Sequence, residues 1–271
     1  MTDFKAFWFH EQMPQGYHKL VNKNAPGVVD ESIIANFIEK YKPHQEKIIV
    51  DLGIGTGREL VWLDNLRNIR KIVGIDYSPA MIAFCKKIAK SCSHKVDLFI
   101  EDLFYPQYLK AFASENTTNP LIYLSLLNSF GNFTKEERPK ILKKLKRLMK
   151  NTDRIIFAIY KTTQHVKQKY NLKNNLSLNP TDPRDEKYLS EIIEYGSYGF
   201  LWNPVIDKYH TLPRFWYNKK ANDIVIHING KRLYISHRFT KDEIQDEFKK
   251  SGLKIDKIIE GKAMWIAVGK I

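Results

Sequence analysis

The segment VDLGIGTGRE, residues 50–59, concentrates residues able to do chemistry. An acid, Asp51, closes an apolar run and is followed by Gly53, Gly55 and Gly57, then by a helical pattern. Glycines at alternate positions let the backbone turn sharply and approach a ligand closely. Arg58 stands where a nicotinamide-dinucleotide fingerprint needs its third glycine, and no Gly-Lys-Ser/Thr follows as in a phosphate loop. The ligand implied is a nucleoside without a pyrophosphate to seat. About 20 residues later comes the acidic position that holds a ribose, here Asp76 within GIDYSPAM (74–81). A third acidic position, the pair Glu101-Asp102 before Leu103, ends another apolar run. A carboxylate there can accept from an adenine amino group while the next backbone N–H donates to the ring.

These groups need strand ends to carry them. From Lys47 to about Tyr160, short apolar runs alternate with helical patterns. Strands are expected over KIIVDL (47–52), KIVGID (71–76), VDLFIED (96–102), PLIYLSLL (120–127) and RIIFAIY (154–160). Helices are expected over 59–66, from the Ser78-Pro79 start, and over 135–150 behind a Thr134 cap. Such alternation means an α/β fold with a parallel sheet covered on both faces, and ligands gather at the carboxyl ends of its strands. The alternation stops at Lys161. An aromatic-rich run from Tyr195 to Tyr217 and a hairpin with an Asn229-Gly230 turn follow. Thr240 then caps a helix that stops at Gly252, and two strands joined near Gly261 pair antiparallel. The expected division is an N-terminal helical cap (1–46), a core (47–160 and 238–271) and a β-rich lid insertion (161–237).

Val50–Glu59, Gly74–Met81 and Glu101–Leu103, in this order and spacing, together resemble the class I S-adenosylmethionine-dependent methyltransferases of small-molecule type. The likeness extends over 47–160 and 240–269. It implies a Rossmann-like doubly wound sheet of seven strands, order 3-2-1-4-5-7-6 with the last strand antiparallel. It implies S-adenosylmethionine as cofactor and S-adenosylhomocysteine as product. Asp51, Gly53, Gly55 and Gly57 would surround the methionine part and Asp76 the ribose. Tyr77 and Met81 would pack on the adenine, although Met81 also suits the core. Asp102 and Leu103 would read the adenine edge. Ser125 and Leu126 would lie near the sulfonium.

The acceptor side is less defined. SLLNSFGNF (125–133) lacks the Asn/Asp-Pro-Pro-Tyr/Phe of many DNA and protein-amide N-methylating members. Gly131-Asn132-Phe133 resembles a segment of the histidine Nα-methyltransferase group in which the asparagine holds the acceptor; it reads equally as a loop turn. Tyr17 and His18 precede the first helix where related enzymes close over the cofactor. Tyr160, His165, Trp202, Tyr209 and His210 could wall a pocket, or simply pack. Tyr17, His18, Asn132 and His210 are therefore the catalytic candidates. No His/Cys/Asp/Glu set has metal-ligand spacing, so no metal is expected.

The net charge of +14 raises a nucleic-acid partner as the alternative. The excess is Lys-dominated and spread, with acids and bases equal over 1–50, which favours a solvated surface. The reading reached is methyl transfer to a small molecule, an amine nitrogen ahead of oxygen, in a lidded pocket; an RNA methyltransferase is the alternative. A cytoplasmic monomer or homodimer without membrane contact fits the two cysteines and the lack of a long apolar run.

Overall fold

The computed structural model describes residues 14, 15, 18, 30–161, 176–178, 214–218, 223–228, 231–262 and 264–271, with 176–178, 214–218, 224–228 and 231–235 as backbone. Strand β1 (Lys47–Leu52) is buried at all six positions and lies in the middle of the five parallel strands of a seven-stranded sheet. β2 (Ile69–Asp76) and β3 (Val96–Ile100) run parallel to it on one side, and β4 (Leu121–Ser125) and β5 (Arg154–Tyr160) on the other. Beyond β5 lie the C-terminal strands β10 (Lys254–Glu260) and β11 (Met264–Lys270). β11 pairs antiparallel with both β5 and β10. The order β3-β2-β1-β4-β5-β11-β10 is the expected 3-2-1-4-5-7-6 when only core strands are numbered.

Successive side chains of a strand point to opposite faces, and β1 shows it. Val50 and Leu52 enter one apolar layer with helices α4 (Gln107–Glu115), α5 (Arg138–Leu148) and α6 (Lys241–Ser251). Ile49 enters the other, with α1 (Glu31–Lys40), α2 (Leu60–Leu63) and α3 (Pro79–Ala89). Ile34 and Ile38 place α1 within this layer.

Local chemistry sets the helix limits. Ser78 Oγ accepts from Met81 N and Pro79 opens α3, as read from the sequence. α2 is far shorter than 59–66, because Asp64 turns away to accept from Ser93 N and His94 N in the turn after α3. α5 starts at Arg138 rather than beside Thr134. Pro139 has no N–H to donate, so it is tolerated only in a helix's first turn. Thr240 and Glu243 form a reciprocal capping box on α6, and Gly252 ends it at φ 76°.

A second sheet, β6 (Leu176–Leu178), β7 (Arg214–Asn218), β8 (Asp223–Ile228) and β9 (Lys231–His237), is antiparallel throughout. The β8–β9 pairing is the expected hairpin; its Asn229-Gly230 turn lies outside the described residues. β9 re-enters the core directly: Phe239 N donates to Tyr160 O at 2.8 Å.

Candidate cofactor site

The carboxyl ends of β1, β2 and β4 converge on the glycine turn. Gly53, Gly55 and Gly57 have φ of 86°, 54° and 77°, a left-handed region that glycine enters without penalty. Two also lack room for a side chain. A Cβ on Gly53 would stand 3.0 Å from Ser129 Oγ, in the turn after β4. One on Gly57 would stand 2.4 Å from Cys85 Sγ on α3. Gly53 and Gly55 are only half-buried, so their backbone is open to a ligand.

Asp76 braces this turn. Its Oδ2 accepts from Gly55 N at 2.9 Å and its Oδ1 from Ser78 N at 2.9 Å. Each carboxylate oxygen keeps further lone-pair capacity for a hydroxyl. Burial raises Asp76 to about 6, against the opposing pull of backbone N–H groups of Ser78, Gly55 and Tyr77. Asp51, at the end of β1, is raised well above the carboxylate range by burial and by the charges of Glu59 and Asp76. Its Oδ2 atom is buried without a hydrogen-bond partner among the described residues. Such an orphan acceptor beside an open glycine backbone fits a ligand that brings its own donors.

Tyr77 follows β2 half-buried, and Met81 is buried in the first turn of α3. Asp102 Oδ1 accepts from Phe104 N at 3.0 Å, shaping the loop after β3 around Leu103. Glu101 turns away from this loop. Its carboxylate accepts from Tyr108 N and Leu109 N and so caps α4. Ser125 and Leu126 are buried at the end of β4.

His18 lies over the glycine turn, its Nδ1 3.2 Å from Thr56 Oγ1 and its ring 5.0 Å from that of Phe84. Burial and the Arg58 charge lower its pKa, which favours the neutral imidazole. Asn132, in the 3-10 turn Ser129–Asn132, buries an Oδ1 with no hydrogen-bond partner among the described residues. Tyr17, His165, Trp202, Tyr209 and His210 lie outside the described residues. Tyr160 ends β5.

The structure adds Asn128, which the sequence did not single out. With Leu127 it adopts a left-handed conformation, at φ of 65° and 50°. Its Nδ2 donates to Ser236 Oγ at 3.1 Å and to His237 O at 3.2 Å, and its Oδ1 accepts from Tyr160 N at 3.0 Å. One amide thereby ties the ends of β4, β5 and β9. Nearby, His237 Nδ1 lies 2.6 Å from Asp223 Oδ1, and Arg138 Nε donates to Glu247 at 2.7 Å.

Residues 49–152 match the family pattern described as a methyltransferase domain. Two curated relatives are carboxy-S-adenosyl-L-methionine synthases. The one from Campylobacter concisus is 29% identical over 100 residues, 36% of this chain and 42% of that protein. The one from Campylobacter jejuni subsp. doylei is 29% identical over 174 residues, 59% of this chain and 72% of that protein. Thus the matched stretch spans less than half of the first relative's length. Among solved structures, a methyltransferase from Clostridium acetobutylicum superposes with TM-score 0.58 at 13% identity, over 94% of this chain and 97% of that one. A 1,6-didemethyltoxoflavin-N1-methyltransferase from Burkholderia thailandensis, bound to its acceptor and S-adenosylhomocysteine, superposes with TM-score 0.52 at 10% identity, over 98% and 88%. Identities this low speak to the fold alone. Residues 49–152 thus match a methyltransferase domain, and the strand order, with a glycine turn braced by Asp76 beside an orphan Asp51 oxygen, is the Rossmann-like fold of the class I S-adenosylmethionine-dependent methyltransferases.

Proposed function

We propose that the chain transfers a methyl group from S-adenosylmethionine to a small molecule, with an amine nitrogen as acceptor. The observation that carries this reading is the cradle formed by Asp51, the three glycines and Asp76. Asp51 and the Gly53–Gly57 backbone would hold the methionine part, Asp76 the ribose, and Tyr77, Met81, Asp102 and Leu103 the adenine. Ser125 and Leu126 would line the approach to the reacting centre. When bound, the cofactor supplies a methyl group on a positive sulfur, open to in-line attack.

The protein's own share is alignment and proton management. Fixing two reactants in an attack geometry can contribute about 7–11 kcal/mol. A correctly protonated acid or base contributes typically about 10²–10⁴-fold. His18, whose neutral form is favoured by burial and by Arg58, would accept the proton that an amine acceptor must shed. Asn132 Oδ1, buried and lacking a hydrogen-bond partner among the described residues, would accept from the acceptor's N–H. Tyr17 and His210 remain candidates beside them. The 161–237 segment would form a lid over the acceptor, supported by the way Asn128 fastens β9 to the end of β4.

The names of the curated relatives favour a second reading, in which the cofactor itself becomes carboxylated. One screen separates the readings. The chain is incubated with labelled S-adenosylmethionine and amines, amino acids, phenols, keto acids or bulk tRNA, and products are weighed by mass spectrometry. The proposal expects a methyl increment on a small amine. A carboxyl increment on the cofactor selects the second reading, and methylated tRNA alone selects the RNA alternative.

A further inference from the structure

Glu59 has no role in the assignments above. It immediately precedes α2, is only 5% exposed, and buries an Oε1 atom that has no hydrogen-bond partner among the described residues. The neighbouring Asp51 is 1% exposed and buries an orphan Oδ2. The Glu59 charge raises the proton affinity of Asp51, and both carboxylates act on the Cys85 thiol that packs against Gly57. The other groups facing them are Asp76 from β2, Arg58 from the glycine turn and Glu31 from α1. Arg58, the cation among them, lies 3.7 Å from Glu59 and is already paired with Glu31. Uncompensated buried carboxylates are costly and take up a counter-ion or a proton. Among the described residues, no three His, Cys, Asp or Glu groups are placed to ligate a metal ion. An organic ammonium group is a counter-ion whose N–H donors suit two such carboxylates.

We infer that Glu59 joins Asp51 to form an anionic seat for the ammonium group of the cofactor's amino-acid tail, and that a proton held there in the free protein leaves for solvent when the cofactor binds. The inference rests on the methyltransferase reading. On binding, a carboxylic O–H bond breaks, its proton passes to buffer, and the carboxylate accepts from the ammonium N–H. Burial sets Glu59 at about 7, so the exchange falls within reach of ordinary pH.

The test compares two probes on the full chain by calorimetry, S-adenosylhomocysteine and 5′-methylthioadenosine. They share adenine and ribose, but the second lacks the amino-acid tail. In the wild type, the affinity ratio of the first probe to the second should rise about tenfold between pH 6 and pH 7.5. Glu59→Gln should bind S-adenosylhomocysteine about tenfold more weakly at pH 8, bind methylthioadenosine as the wild type does, and flatten the pH dependence of the ratio. The free variant should melt at the same temperature or higher, because a repelling buried charge is gone. Unchanged S-adenosylhomocysteine affinity in Glu59→Gln overturns the inference, as does equal weakening of both probes. If the wild type binds neither probe, the methyltransferase reading falls with it.

Discussion

The Asn128 side-chain amide stands 3.1 Å from Ser236 Oγ, joining positions 108 apart in the chain. The same amide reaches His237 O and Tyr160 N, so three segments share one side chain. Its backbone is left-handed, which asparagine tolerates better than most residues. Asn128→Ala should therefore cost about 2–4 kcal/mol, from orphaned buried partners and a strained φ. Asn128→Gly relieves the backbone and should cost less. Urea unfolding of the two variants measures both, and equal losses would count against the backbone share.

Gly57 and Cys85 form a second tight contact. Gly57→Ala places a methyl group where the thiol lies and forces φ 77° on alanine. A loss of about 1–3 kcal/mol is expected, together with weaker binding of S-adenosylhomocysteine. Adding Cys85→Ala should recover part of the stability loss, a coupling that a double-mutant cycle reads directly. Strict additivity would mean that the two residues do not touch.

Asp76→Ala should weaken S-adenosylhomocysteine binding by at least about tenfold. Acid should do the same to the wild type. Asp76 is raised to about 6, so its carboxylate is lost as pH falls through that value. Affinity measured from pH 8 to pH 5 should drop on the acid side, while Asp76→Asn should lack that component. Unchanged calorimetric affinity in Asp76→Ala would sink the ribose assignment.

The free protein should behave in the opposite sense over part of that range. Glu59 and Asp76 titrate at about 7 and about 6 in the fold, above ordinary carboxylate values, so their stabilising protons are lost as pH rises through those values. Burial and contacts to Asp223 and Glu243 bear on His237, whose net shift is also upward, and its contribution likewise fades with rising pH. Thermal stability should climb as pH is lowered from 8 toward 5. Below that range it should fall, because Asp64 and Glu243 are depressed to about 2 by their hydrogen bonds, and their contribution is lost with acid. A scanning-calorimetry series across pH 3–8 checks both limbs.

Much of the frame was legible because it rests on short-range rules. Alternating apolar runs fixed the strands, and Ser78-Pro79, Thr240 and Gly252 marked helix ends through local hydrogen bonds and φ. The glycine turn announced itself by spacing alone. Asn128 did not, because its meaning depends on Ser236 and His237, far along the chain. Glu59 read as the first residue of a helix, and only the packing around the glycine turn buries it. Glu101 read as one half of the acidic pair with Asp102, but the helix that follows takes up its oxygens at Tyr108 N and Leu109 N. The limits of α2 and α5 were set by Asp64 and Pro139, single residues acting within a longer periodic pattern.

Phe239 N lies 2.8 Å from Tyr160 O, and Lys161 pairs with Phe239 in a parallel bridge. The chain therefore departs from the main sheet and returns to it at a single point. Beyond Ser236 and His237, which Asn128 holds, the stretch between these two positions can change in length without altering the register of β5 or the start of α6. Closing a longer excursion costs only slowly increasing entropy, about 0.6 kcal/mol for each doubling. The junction works as a socket: the strand ends around the glycine turn keep their places whatever the length of chain plugged in beside them.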